Sequence, residues 1–254
     1  MKIIKEKDMT HEIFCDKEIT YNTLEIYRFE EPDGYLYINK GKEEFSIYIH
    51  SSSELLISEK LKEILLPYLN GKTTVTVNDI NTSLIDFIKS KGQEYWWGSY
   101  MMHLDGKIEQ MSKGELQPYK GEFEIYIDIF GRCFEPMRQR HDFKPYNWYK
   151  SNKDVSIKEF EDANKKGDFY GYVVDGQIVG GGIVKNNEID ILAIKPELQC
   201  TGLGRQLLRG IVNEMKKSKH KIDISVVESN QHVLKFYMSE GFIIDKLEKI
   251  FKNY

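Results

Sequence analysis

The sequence predicts a mixed α/β fold, an α+β arrangement in which mixed, largely antiparallel strands are flanked by helices and built as two units. Three observations carry this. A strand–helix–strand pattern occurs twice along the chain. Short β-branched and aromatic runs in both halves are joined by tight turns. A glycine-rich turn stands where a strand gives way to an amphipathic helix.

The repeated pattern is read by aligning residues 77–92 (VNDINTSLIDFIKSKG) with residues 226–241 (VVESNQHVLKFYMSEG). A β-branched run opens each copy, at 73–77 and at 222–227. An acidic residue then stands two places before an asparagine: Asp79 before Asn81, and Glu228 before Asn230. Eleven residues after each asparagine comes a glycine, Gly92 or Gly241. Physically this is strand, Asn-capped helix, glycine terminus and strand. An apolar-periodic helix precedes each strand, over 54–69 and 202–217. Hairpins are expected at 35–38 with 45–49, and at 169–174 with 178–184 around Asp175-Gly176. Residues 103–121 hold three glycines and a proline with little apolar pattern, so the boundary is placed there. The expected domains are 1–115 and 121–254. Tyr95, Trp96 and Trp97 follow the first copy and are expected to serve in core packing.

Composition excludes several classes. With 41% apolar and 30% charged residues in 254, the chain can bury a core and is not of disordered type. A net charge of −4 supplies no general field for nucleic acid, so no nucleic-acid partner is expected. No apolar run approaches the ~20 residues of a membrane helix, and residues 1–8 are charged throughout, so neither membrane span nor signal peptide is expected. Cys15, Cys133 and Cys200 make neither a disulfide framework nor a zinc spacing, which fits a cytoplasmic protein without metal. His141-Asp142 has no third partner for a metal.

Residues 188–205 read EIDILAIKPELQCTGLGR. A strand over 188–194 ends at Pro196. After it, Leu203, Leu207, Leu208, Ile211, Val212 and Met215 fall at helical spacing. Gly202 and Gly204 therefore lie at a strand-to-helix turn, where unpaired first-turn N–H groups can receive phosphate oxygens and Arg205 can add a charge-assisted contact. Gly-x-Gly before a helix is also found in plain tight turns. It is neither a dinucleotide fingerprint nor a P-loop.

Gln199-x-x-Gly202-x-Gly204 after a strand and a proline resembles the acetyl-CoA motif of the GNAT superfamily. A second motif of that family follows in order: Asn230, then Tyr237 seven residues later, then Gly241-Phe242. The resemblance covers roughly 121–254. It implies two GNAT-like domains, the first a degenerate copy with no glycine at its turn (50–54) and Ile88 where the second copy has Tyr237. It also implies that two parallel strands, through 192–194 and 222–227, splay apart to admit the pantetheine arm of acetyl-CoA. Leu192, Ala193 and Ile194 would meet that arm, as an added strand would. Gln199, Cys200, Thr201, Gly202, Leu203, Gly204 and Arg205 would hold the diphosphate, and Asn230 and Tyr237 would complete the cosubstrate site. Cys200 is a loop residue in this reading; a nucleophilic thiol would need a neighbouring base.

The implied activity is transfer of the acetyl group to a primary amine of a small molecule or peptide by direct attack. Tyr237 is the general acid and a backbone N–H near Ile194 is the oxyanion donor. Glu188 is the candidate base, with Asp190 expected on the same side of the strand. Ser225 stands where some relatives carry a glutamate, so a water chain remains an alternative base. The acceptor side is expected over 122–163, where Arg138, Arg140 and His141 read as solvated and Tyr146 and Trp148 as core. Competing readings are a non-catalytic CoA-binding regulatory or scaffold protein, and a nucleotide-binding module. A monomer or a homodimer fits equally.

Overall fold

The computed structural model describes residues 2–5 and 23–254. Cys15 and most of the charged opening segment lie outside the described residues. The fold is mixed α/β, the class the sequence predicts. Twelve strands are described: β1 (Ile3–Lys5), β2 (Thr23–Glu30), β3 (Asp33–Lys40), β4 (Phe45–Ser51), β5 (Thr73–Asn78), β6 (Glu94–Leu104), β7 (Glu115–Gln117), β8 (Phe169–Val174), β9 (Gln177–Lys185), β10 (Glu188–Ile194), β11 (Asp223–Val227) and β12 (Phe242–Lys252). The helices are α1 (Glu59–Leu69), α2 (Thr82–Ser90), α3 (Phe123–Arg140), α4 (Trp148–Ser151), α5 (Lys153–Lys166), α6 (Leu203–Met215) and α7 (Gln231–Ser239).

The chain divides into two compact units. Unit 1 comprises Met1–Tyr100, Val227–Asn230 and Lys246–Tyr254; unit 2 comprises Met101–Val226 and Gln231–Asp245.

In unit 1, β1 to β4 form an antiparallel meander, β4 pairs with β5 in parallel, and the end of β12 pairs antiparallel with β5. The parallel pair is closed over its length, from Phe45↔Thr73 to Ile49↔Val77. Leu36, Ile38, Ile47, Val75 and Val77 form the core with Leu61, Leu65, Leu84 and Ile88 of the helices. Helix α1 starts later than the apolar periodicity suggests, because the Ser58 hydroxyl takes the Leu61 N–H at 3.2 Å and caps it there. Residues 54–58 form a loop whose Leu55 is fully buried, which explains its helix-like apolarity.

Asn81 stands at the start of α2 without capping it. Its side-chain oxygen instead accepts the Leu55 N–H at 2.7 Å and the Ser51 hydroxyl at 3.1 Å, tying down the loop after β4. Tyr95 is 47% exposed. Trp96 lies beneath the Lys252 ammonium, 3.9 Å from its ring centroid. Trp96 and Trp97 are partly buried, so the aromatic run is not core, contrary to the expectation from its apolarity.

In unit 2, β7, β8, β9 and β10 pair antiparallel in that order, and β10 meets β11 in parallel. Helices α3 and α5 cover one face, where Tyr126, Phe130, Phe160, Phe169, Ile183 and Ile191 interlock. The turn Asp175-Gly176 has φ 50° and 74°, the left-handed pair a two-residue hairpin requires. The glycine run of β9 allows close approach. A Cβ at Gly180 would stand 2.5 Å from the Ala193 carbonyl oxygen and 2.5 Å from Ile194 Cδ1. β10 is thus pressed tightly against β9.

Candidate active site

The β10–β11 register consists of Glu188↔Asp223 and Ile189↔Ile224. It stops there, although β10 runs on to Ile194. A register shift between Ile189 and Ile191 in the β9 pairing marks a bulge at Asp190, and a bulge turns a strand away from its partner. Beyond it, β10 keeps β9 on one side, with Leu192↔Gly182 and Ile194↔Gly180. The Lys195 N–H donates to Val179 at 2.9 Å, so it points toward β9. By the alternation of a strand, the N–H groups of Ile194 and Leu192 point away from β9, to the side where β11 has left. This edge offers main-chain groups to an extended ligand.

The far end of the edge leads through a 3-10 turn, Pro196–Leu198, into the glycine turn. Cys200 and Gly202 take φ 60° and 89°, bending the backbone into the start of α6. Gly202 occupies the N-cap position and has no side chain with which to cap. A Cβ there would meet nothing within 4 Å, so the turn faces open space. At Gly204 a Cβ would stand an ordinary 3.8 Å from Ile194 Cγ1. Neither glycine is demanded by a packed neighbour. Left-handed backbone favours glycine at the first.

The remaining motif residues support this turn. Gln199 donates through Nε2 to the Ile194 carbonyl at 3.2 Å, which also accepts from Cys133 Sγ at 3.2 Å. Burial pushes the Cys133 thiol up to about 11, leaving it neutral and inert. Thr201 Oγ1 donates to the Leu198 carbonyl at 2.7 Å. Leu203 is buried at the head of the apolar face of α6. Arg205 is held at the helix start by Glu240 (3.1 Å), and Arg209 grips the same carboxylate at 2.8 Å. Glu240 and Cys133 both went unnamed as site residues from the sequence, since each acts through a partner far away in the chain.

Tyr237 is buried on α7, with ring centroids 5.2 Å from Phe236 and 5.8 Å from Phe242. Burial raises its pKa well above the ordinary phenol value. Asn230 precedes α7, and its N–H donates to the Val227 carbonyl at 2.8 Å. Glu188 is partly buried where β10 and β11 are still paired. Asp190 does not simply follow on the same side, because the bulge interrupts the alternation there. Its carboxylate meets Lys185 at 2.8 Å. Ala193 is buried and Leu192 partly exposed, as befits opposite faces of β10. Among the described residues no three His, Cys, Asp or Glu side chains gather in a way that could hold a metal ion. No helix of the described residues is long and apolar enough to cross a membrane.

Residues 141–253 match the family model described as "Acetyltransferase (GNAT) domain". No curated protein matches the chain. Among solved structures the chain is similar to an acetyltransferase from the GNAT family of Colwellia psychrerythraea, at 12% identity and TM-score 0.55, covering 90% of this chain and 85% of that one. It is similar to a GCN5-related N-acetyltransferase from Sphaerobacter thermophilus, at 12% identity and TM-score 0.54, covering 91% and 80%. A tandem GNAT protein from the clavulanic acid biosynthesis pathway aligns at 10% identity and TM-score 0.50, covering 91% and 83%. These likenesses are ones of fold. They agree with the family match in one conclusion: residues 141–253 resemble an acetyltransferase (GNAT) domain in sequence, and the chain shares the fold of GNAT structures.

Proposed function

We propose that the protein transfers the acetyl group of acetyl-CoA to a primary amine of a small molecule or peptide by direct attack. The observation that carries this is the end of β10–β11 pairing at Ile189↔Ile224, which leaves Leu192, Ala193 and Ile194 beside an open glycine turn. In this reading the diphosphate rests on the turn from Gln199 through Arg205, against the N–H groups at the head of α6. The pantetheine arm lies along the free edge of β10. The amine nitrogen bonds to the thioester carbonyl carbon, whose oxygen is met by a backbone N–H near Ile194. The carbon–sulfur bond then breaks, and the Tyr237 phenol gives its proton to the leaving thiolate. Glu188, or a water chain in its place, takes the proton lost by the amine.

The same reading assigns the first part of the chain to a degenerate copy, with domains at 1–115 and 121–254. The element order β-β-β-α-β-α-β recurs in β2–β6 and in β8–β12. Two features favour silence in the first copy. Its parallel pair β4–β5 stays closed to Ile49↔Val77. Asn81, the counterpart of Asn230, is occupied by the Leu55 N–H and the Ser51 hydroxyl. The acyl-CoA arm would have no edge to join there. The protein is expected to act in the cytoplasm, as monomer or homodimer.

The test is release of free thiol from acetyl-CoA across an amine panel, with acetyl-CoA binding measured by calorimetry. Turnover with one amine class and a single acetyl-CoA per chain supports the reading. Tight binding with no turnover of any amine favours a CoA-binding scaffold instead.

A further inference from the structure

A cavity of about 640 Å3 lies within unit 2, between α3, α4, α5 and the start of β10. Phe134, Met137, Trp148 and Tyr149 give it an apolar, aromatic wall. Its carboxylates are already matched. Lys185 meets Glu159 at 2.7 Å and Asp190 at 2.8 Å, and Lys165 meets Asp162 at 3.2 Å.

Two of its cations are not matched. Among the described residues, no carboxylate lies within ion-pair distance of Arg138 or Lys158, both of which line the cavity. Lys158 is exposed. Arg138 is partly buried. Its Nε donates to the Pro145 carbonyl at 3.0 Å, and its guanidinium lies over the Trp148 ring, 5.2 Å from the centroid. Neither terminal nitrogen has a hydrogen-bond partner among the described residues. A guanidinium stacked on an indole and anchored through Nε presents a planar fork, the shape that receives a carboxylate through two hydrogen bonds. Burial lowers its pKa, which reflects water already lost from the cation. An anion that pairs with it restores what burial removed.

The position matters as much as the charge. The cavity touches β10 at Asp190 and Ile191, at the bulge where pairing with β11 has ended. The glycine turn lies beyond the other end of the same free edge. A thioester reaching along that edge from the turn would arrive beside the cavity.

We propose that this cavity receives the acceptor, and that the acceptor is an amine carrying a carboxylate on an apolar body, with the carboxylate held by Arg138. The proposal rests on the acyltransferase reading above. In the reaction the amine nitrogen gains the acetyl carbon and loses a proton, and the sulfur leaves and is protonated. The carboxylate is unchanged, so an N-acetylated amino acid and CoA result.

The test uses the full chain, acetyl-CoA, and apolar amino acids paired with their carboxamides. Thiol release is measured, and binding of each member of the pair is followed separately by saturation-transfer NMR. The carboxylate member should have the higher kcat/KM, and Arg138→Ala should raise its KM about 10- to 100-fold while leaving the carboxamide unaffected. Arg138→Lys should restore part of the preference, which a general loss of folding could not do. Equal use of acid and carboxamide by the wild type overturns the proposal, as does a preference that survives Arg138→Ala; in either case the acyltransferase reading stands. If no amine turns over while acetyl-CoA binds, the NMR binding decides. Carboxylate-selective binding lost in Arg138→Ala supports the proposal, and unselective binding overturns it. Failure to bind acetyl-CoA at all overturns the acyltransferase reading and this acceptor with it.

Discussion

Burial governs what Tyr237 can do. Its ring is enclosed by Phe236 and Phe242, and loss of water raises the phenol above its usual range. A raised pKa keeps the proton on, so the acid form persists as pH climbs through about 10, where an exposed tyrosine ionises. The pH profile of kcat should therefore show no alkaline loss from this group up to that point. Tyr237→Phe should lower kcat by about 10² or more with little change in acetyl-CoA affinity, measured by thiol release beside calorimetry. Unchanged kcat would remove Tyr237 from the reaction. At this scale the sequence revealed what is local. Gly202, Gly204, Asn230 and Tyr237 stand at fixed spacings, and Gly92 and Gly241 take the positive φ that helix ends need. What it hid are partnerships between distant residues. Glu240 gathers Arg205 and Arg209, and Cys133 reaches the Ile194 carbonyl. Asn81 reads as a helix cap in sequence, because the competing donors come from the end of β4 at Ser51 and the following loop at Leu55.

Among the elements, the two parallel pairs differ most in what they permit. β4–β5 closes and β10–β11 parts, though each joins a strand to one that follows a crossover helix. The parting follows the bulge at Asp190, and a one-residue shift in pairing leaves no trace in apolar alternation this short. Hairpins and helices were legible because turn residues and periodicity announce them. The start of α1 was not, since buried Leu55 imitates a helix position. The glycines of β9 are a signal that a closer reading of the sequence could have used. A Cβ at Gly180 has backbone oxygen and a packed side-chain methyl at 2.5 Å, with no flexible tip to yield. Gly180→Ala should cost about 1–3 kcal/mol in urea unfolding and loosen the edge of β10. Wild-type stability in that variant would mean that β9 and β10 are not held so close.

For the whole molecule, each compact unit combines a mostly antiparallel strand set with one parallel pair, and unit 1 takes its last strand from the chain's C-terminal end. No local pattern signals that exchange, because a strand's apolar alternation names its buried face and not its partner. The proposed division of labour gives one copy the acyl-CoA site and leaves the other closed. Hydrogen exchange of the full chain, with and without acetyl-CoA, tests it most directly. The account predicts slowed exchange in peptides spanning 191–206, with those spanning 45–55 and 73–82 unaltered. Protection of the 45–55 segment, or none at 191–206 under saturating acetyl-CoA, would contradict it.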